Sequence, residues 1–344
     1  MNKRALITGI TGQDGSYLSQ FLLNKGYDVY GAVRRTSSLN TGRLSELNIL
    51  NNINLVTVDL AEITNIQRVI EEIKPDEVYN LAAQSFVQTS FDQPIYTSEI
   101  DAIGVTRILE IIRLLGGKIK FYQASTSEMF GKVQSSPQNE ETAFYPRSPY
   151  GVSKLYGHWM TINYREAWNL HACSGILFNH ESPLRGIEFV TRKITFGVAE
   201  IAKKKKRSIS LGNLNAERDW GFAGDYVYAM WLMLQKKDPC DYVIATGETH
   251  SVRDFVEKAF EVIDTEIEWV IDNEIESGRC KKSGKILIDI NKNHNRPAET
   301  DYLLGDATKA KEDLNWKPKV NFSDLIEMMV KKDLYRVENG INSF

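Results

Sequence analysis

A short apolar run, Ala5-Leu6-Ile7-Thr8, breaks directly into Gly9-Ile10-Thr11-Gly12-Gln13-Asp14-Gly15, and Tyr17, Leu18, Phe21 and Leu22 then recur at helical spacing before Gly26. No other stretch narrows the choice of fold so far. A buried strand that turns on glycines into a helix opens a parallel, doubly wound sheet, and the amides and dipole at the helix N-terminus hold an anion there. Glycines at this spacing let the chain turn tightly and let a diphosphate approach the backbone. Gly9, Ile10, Thr11, Gly12, Gln13, Asp14 and Gly15 are therefore expected to bind a dinucleotide.

Further apolar runs alternate with helical periodicity. Val29 to Val33, Leu55 to Val58, Val78 to Leu81, Ile119 to Ala124 and Ala172 to Leu177 read as strands, while Ile66 to Ile73, about Ile95 to Leu115 and Pro149 to about Trp168 read as helices. This alternation predicts an α/β fold, a Rossmann-type doubly wound parallel sheet with a smaller C-terminal α/β substrate-binding domain. The 344 residues leave room for two interleaved domains. The cofactor-binding domain is expected over 1–178. A segment near 241–262 should return to it, because Tyr242-Val243-Ile244-Ala245-Thr246 reads as a strand of the same sheet. The substrate domain is expected mainly over 179–344.

Composition matters chiefly through what it excludes. A hydrophobic share of 42%, a charged share of 25% and a net charge of -3 describe a soluble globular chain with no overall pull toward nucleic acid. Lys203-Lys204-Lys205-Lys206-Arg207 reads as the solvated end of a helix. No apolar run is long enough to span a bilayer, and Met1-Asn2-Lys3-Arg4 leads into the first strand without a secretory signal, so no membrane partner is expected. Cys173, Cys240, Cys280 and the 5 histidines lack metal-ligand spacing, which predicts no metal and a reduced, cytoplasmic setting.

The second strand ends in Arg34-Arg35-Thr36-Ser37, where an NAD site would usually offer an acid to the ribose diol. Two guanidiniums and two hydroxyls suit a 2'-phosphate, which favours NADP over an exposed basic turn. The third strand ends in Asp59-Leu60, whose carboxylate could accept from an adenine amino group. Leu81-Ala82-Ala83-Gln84-Ser85 offers a small-residue turn for a ribose or a nicotinamide.

The chemistry is expected between Ser125 and Lys154. Ser125-Thr126-Ser127-Glu128 follows an apolar run and should stand at the C-terminal end of a strand, where open α/β sheets place ligands. Tyr150 and Lys154 are four positions apart on a helix that starts behind Pro149, which puts phenol and ammonium on one face. A phenol is a poor base at neutral pH. Lowering its pKa from roughly 10 to roughly 7 takes about 4 kcal/mol, and an ammonium about 6 Å away supplies roughly 3 kcal/mol at an effective dielectric of about 20. The lysine alone falls a little short, and an oxidised nicotinamide would add the missing positive charge.

Together the glycine turn, Asp59-Leu60, Leu81 to Ser85, the Ser-Thr strand end and the Tyr150/Lys154 pair resemble the extended short-chain dehydrogenase/reductase superfamily. Within it, Gly9 to Gly15, Arg34 to Arg43, Ser125 to Gly131, Tyr145 to Lys154, Phe178 to Lys193 and Arg218 to Met230 are similar to the GDP-mannose 4,6-dehydratase family. Thr126-Ser127-Glu128 also matches that family, whereas dTDP-glucose dehydratases carry an Asp-Glu pair here and sugar epimerases typically lack the glutamate. The resemblance implies 4,6-dehydration of a GDP-sugar with Thr126, Glu128, Tyr150 and Lys154 as catalytic residues and NADP regenerated in each turnover. It adds Tyr96, His180 and Arg185 to the cofactor site. For the substrate it implies Ser85, Thr126, Glu128, Asn179, Lys193, Gly212 and Asn213, with Arg218 and Arg296 on the diphosphate and Glu299 on a ribose. It further implies a homo-oligomer, dimer or tetramer, paired through the helices at 95–115 and 150–168, with Arg35 and the loop to Arg43 meeting a neighbouring subunit. A GDP-manno-heptose as substrate, a GDP-sugar epimerase or reductase, and a non-catalytic NADP-binding regulator remain the alternatives.

Overall fold

Seven strands hydrogen-bond in the spatial order β11 (Tyr242–Ile244), β6 (Ala172–Leu177), β5 (Lys120–Thr126), β4 (Glu77–Asn80), β1 (Arg4–Thr8), β2 (Asp28–Val33) and β3 (Asn54–Thr57) in a computed structural model that describes residues 2–272, 275–291 and 302–341. Every pairing is parallel. Parallel sheets are covered on both faces, so their strands read as continuous apolar runs, and β4 and β6 are buried at every residue. One face is covered by α1 (Gln13–Asn24), α9 (Ala223–Gln235) and α11 (Thr308–Leu314), whose Leu18, Leu22, Met230, Leu234 and Leu314 pack into one core. The other is covered by α3 (Ile63–Ile73), α6 (Gly104–Leu114) and α7 (Pro149–Trp168) through Ile66, Ile70, Val105, Ile108 and Tyr164. Strand order reverses between β1 and β4, and the crevice beyond their C-terminal ends is where such sheets bind ligands.

The single helix expected from Ile95 to Leu115 is not one helix. The chain forms α4 (Val87–Asp92), α5 (Pro94–Ser98), a π-helical turn over Glu99–Ile103, and then α6. Pro94 starts α5 because it has no N–H for a preceding turn to use. The wider π turn puts Asp101 inside, only 2% exposed, on the side that meets α7.

A second core forms around α8 (Val190–Ala202), α10 (Val252–Glu261) and α12 (Phe322–Glu338), with Ile194, Val198, Phe255, Leu325 and Met329 fully buried. Beside it lies a four-stranded sheet of β13 (Ile267–Asp272), β14 (Ile275–Cys280), β15 (Ile286–Ile290) and β8 (Ile209–Leu211). Two short sheets line its border with the first: β7 (Asn179–Glu181) pairs with β10 (Trp220–Phe222), and β9 (Glu217–Arg218) lies between β12 (His250–Ser251) and β16 (Tyr302–Leu303). No helix among the described residues is long and apolar enough to cross a membrane.

A buried ionic network ties this second core to the first. Asp333 accepts from Arg192 Nε at 2.8 Å, Arg336 Nη1 at 2.8 Å and the Thr195 hydroxyl at 2.7 Å, and none of Arg192, Asp333 and Arg336 is exposed. Arg336 reaches on to Glu46 at the end of α2 (Gly42–Glu46) at 2.6 Å. Removing one member of such a network leaves uncompensated buried charge. Asp333→Ala is expected to lower unfolding stability by about 3–5 kcal/mol, measured by chemical denaturation.

Candidate functional site

The glycine turn is held in a geometry that only glycine permits at its two ends. Gly9 has φ +70°, and a Cβ there would stand 2.8 Å from the Ala82 amide nitrogen; a Cβ on Gly15 would stand 2.4 Å from the Gly9 carbonyl oxygen. No side chain caps α1 at Gly12, so the helix opens its first amides to a cavity lined by Gly9, Gly12, Gln13, Asp14 and Gly15. This is a cradle for a diphosphate. Leu81, Ala83 and Ser85 form its near wall; Thr126, Glu128, Tyr150, Lys154, Asn179, His180 and Arg185 form its far wall.

A second opening runs from the turn toward the end of β2, lined by Thr11, Arg34, Asp59, Leu60, Ala82, Gln84 and Tyr96, and it shares Ser85 with the first. Arg34 is exposed and its guanidinium hydrogen-bonds the Tyr96 hydroxyl. Arg35, Thr36 and Ser37 stand exposed and line none of these cavities, and Ile10 is fully buried against Gly31 rather than facing a ligand. Arg43, expected near a neighbouring subunit, bonds within its own chain to the Leu184 carbonyl at 2.6 Å and the Thr11 carbonyl at 3.1 Å.

A third cavity lies on the other side of Glu128 and Arg185, which border both it and the first. Asn179, Lys193, Gly212, Asn213 and Arg218 line it, together with Glu181 and Phe189, which sequence reasoning missed. Burial raises the Glu181 carboxyl above its usual range; it accepts from the Thr191 hydroxyl at 2.6 Å and pairs with Arg185 Nε at 3.0 Å. Arg185 lies 3.5 Å over the Phe189 ring, and Phe189 meets Phe86 edge to face at 5.9 Å. Arg296 and Glu299 lie outside the described residues.

The expected catalytic side chains all line the first cavity, and of the four Glu128 also borders the third. Thr126 ends β5, and its hydroxyl accepts from the Glu128 amide at 3.2 Å and hydrogen-bonds Tyr150. Tyr150 lies in the first turn of α7, begun by Pro149 and capped by the Ser148 hydroxyl, which accepts from the Gly151 amide at 3.0 Å. The lack of a side chain at Gly151 lets α7 approach the Glu128 backbone, since a Cβ there would lie 2.9 Å from the Glu128 carbonyl oxygen. Lys154 is 4% exposed, donates to the Ala124 carbonyl at 2.8 Å, and sits 5.8 Å from the Tyr150 ring centre.

In the protein alone the Tyr150 phenol is raised, not lowered: burial is the largest cause and the Asp101 charge the next. An ammonium at this separation does not offset the loss of water around a phenolate that is only 8% exposed. Lys154 is itself pulled down by burial, while Asp101 draws it back up. Asp101 is a third residue missed from sequence, although a signal was present: it continues the buried stripe of Val105, Ile108 and Ile112. Its Oδ1 accepts from the Gln84 amide at 2.7 Å. Among the described residues no group of three or more His, Cys, Asp or Glu side chains could hold a metal ion.

The chain is similar to known proteins along nearly its whole length. The profile of the GDP-mannose 4,6 dehydratase family matches residues 6–329. A GDP-mannose 4,6 dehydratase of Homo sapiens is 54% identical over 98% of this chain and 93% of its own length. One of Vibrio cholerae serotype O1 is 49% identical over 98% of this chain and 96% of its own. Among solved structures, a dTDP-glucose 4,6-dehydratase from Bacillus anthracis in complex with NAD superposes with a TM-score of 0.81 at 20% identity, covering 99% of this chain and 100% of that one. A UDP-glucose 4-epimerase from Thermus thermophilus gives 0.79 at 22%, covering 96% and 98%. These two share the fold.

Asp101 allows a test by pH. Burial pushes its carboxyl up to about 7, against the opposing pulls of Lys154 and the Gln84 amide. A carboxyl raised in the folded state carries a penalty that is full above about pH 7 and is relieved as pH falls toward its ordinary range. Asp101→Asn keeps an oxygen for the Gln84 amide and removes that penalty. Its melting temperature is expected to exceed wild type by more at about pH 8 than at about pH 5, read by thermal unfolding at both.

Proposed function

The chain belongs to the GDP-mannose 4,6-dehydratase family, and we propose that it removes water across C5 and C6 of GDP-mannose while C4 becomes a ketone, giving the 4-keto-6-deoxy sugar. The observation that carries this reading is Glu128, a carboxylate that borders both the cavity at the glycine turn and the cavity beyond it. An epimerase or a reductase has no need of a base at that place.

In the proposed sequence Tyr150 takes the proton of the C4 hydroxyl and Thr126 holds that oxygen. A nicotinamide, when bound, accepts the C4 hydride, returns it at C6 and adds positive charge beside Tyr150. The new ketone acidifies the C5 proton, which Glu128 removes and passes to the departing C6 hydroxyl so that it leaves as water; once C6 has its hydride back, Tyr150 gives the proton it took to C5, and both side chains end as they began. Lys154 supplies a fixed cation beneath the phenol, held by the Ala124 carbonyl. We assign Arg218 to the diphosphate of the GDP-sugar, and Asn179, Lys193, Gly212 and Asn213, which line the third cavity with it, to the same ligand, with Arg185 kept for the cofactor. NADP is our choice of cofactor because residues 34–37 offer cations and hydroxyls and no acid, with Arg34 at the rim of the second opening. We assign 1–178, with a segment near 241–262 returning through β11, to the cofactor, and the rest of 179–344 mainly to the substrate.

GDP-mannose deuterated at C4 tests the function. Wild type is expected to carry the label to the new methyl group, and label in solvent or in released cofactor overturns the reading. Tyr150→Phe is expected to lose at least about a hundredfold in turnover, the size of a general-base contribution. Glu128→Gln is expected to permit C4 oxidation and to block formation of the 6-deoxy product.

We infer also that the chain pairs with a second copy of itself through α7. Val152, Tyr156 and Trp159 recur along one side of that helix and are 55%, 40% and 54% exposed, with Ile103 of the neighbouring π turn 38% exposed, an apolar face that a partner would cover. The Thr106 and Tyr156 hydroxyls, 3.2 Å apart, join the two helices into one surface. Replacing Tyr156 and Trp159 with aspartate is expected to shift the sedimentation coefficient from that of an oligomer to that of a monomer.

A further inference from the structure

Both ring nitrogens of His180 face acceptors. Nδ1 lies 2.7 Å from the Phe178 carbonyl oxygen and Nε2 lies 2.8 Å from Asp14 Oδ2. A neutral imidazole has one N–H and one lone pair, so it can serve only one of these partners; the imidazolium serves both. The ring also stacks on Tyr226, with centroids 4.6 Å apart and planes 22° apart, as a cation over an aromatic face does. The groups that face it are Asp14 from α1, Glu181 and Arg185 from its own segment, and Tyr226 from α9. Burial works to discharge the ring and the Asp14 carboxylate outweighs it, so His180 lies above its usual range; burial likewise works to raise Asp14, and His180 outweighs it. The two acceptors therefore favour the charged ring.

Asp14 stands in the first turn of α1 and lines the cavity at the glycine turn. An unpaired carboxylate there would repel a diphosphate lying on the same helix N-terminus. We propose that His180 works as an imidazolium which cancels Asp14 and ties the diphosphate turn to the loop bearing Arg185, so that cofactor affinity falls when the ring loses its second proton. Gln13 completes the tie: its Nε2 donates to the His180 carbonyl at 3.0 Å and its Oε1 accepts from the Ser182 hydroxyl at 2.7 Å. This inference rests on the reading of the turn as a dinucleotide site. His180 is thus a positioning residue that sets charge rather than one that exchanges protons with substrate.

The test is NADP+ binding by calorimetry from about pH 7 upward, above the range near 6 where the 2'-phosphate itself titrates. Wild type is expected to lose affinity up to roughly tenfold per pH unit once His180 deprotonates, because its charge is present below that point and lost above it. His180→Phe keeps a ring on Tyr226 and carries no charge; it is expected to bind at least about tenfold more weakly at pH 7 and to show no such decline. Adding Asp14→Asn to that variant is expected to restore most of the loss, which removing a carboxylate would not do if the histidine merely filled space. Nitrogen-15 spectra of the wild-type ring, which need no variant to fold, are expected to show both nitrogens protonated at about pH 7. A neutral ring at that pH, an affinity that does not change with pH, or a double variant no tighter than His180→Phe each overturns the proposal. Wild type that binds no NADP+ at any pH overturns the dinucleotide reading as well.

Discussion

The hydroxyl of Thr8 joins the two central strands at the point where the chain starts to wind in opposite directions. It donates to Asn80 Oδ1 at 2.7 Å and accepts from the Leu81 and Ala82 amides at 3.0 Å each. Asn80 passes the contact on, donating to Gln123 Oε1 at 2.8 Å, so one line of polar groups crosses the ends of β1, β4 and β5. These groups are buried, and an orphaned one would cost about 1–3 kcal/mol. Because all are satisfied, the three strand ends stay in register and hold the glycine turn, the Leu81 to Ser85 turn and Thr126 around one crevice. The cavity exists because that line is complete.

Above it the site is a problem in buried charge. Lys154, Asp101, Asp14 and His180 all lie where water is scarce, and each is tolerable because an opposite charge or a carbonyl stands beside it. Burial and the Asp101 charge hold the Tyr150 phenol above its usual range in the protein by itself. Tyr150 and Lys154 are placed on a helix with a proline start, a serine cap and a glycine-mediated contact to the Glu128 backbone.

The loop that carries Arg185 has no regular structure of its own, and arginines hold it. Arg192 donates to the Pro183 and Arg185 carbonyls at 3.0 and 2.7 Å, and Arg43 takes the Leu184 carbonyl between them. Arg192 rests on Asp333 of α12, so a residue near the C-terminus fixes a loop at the centre of the molecule. Guanidinium donors suit this task because several carbonyls can be bound by one planar group.

Local pattern by itself determined the strand, glycine turn and helix at the N-terminus, the Thr126 and Glu128 strand end, and the four-residue step from Tyr150 to Lys154. Each is a statement about neighbours in the chain, where a period of two or 3.6 residues fixes direction. Only the tertiary structure decided that Arg34 reaches Tyr96 while Arg35, Thr36 and Ser37 face outward, that the helix near 100 breaks into a π turn, that Asp101 is buried, and that His180 meets Asp14. The reason is physical: periodicity is set by bonds between consecutive residues, whereas burial and charge depend on which distant segments exclude water from a group, and no single segment carries that information.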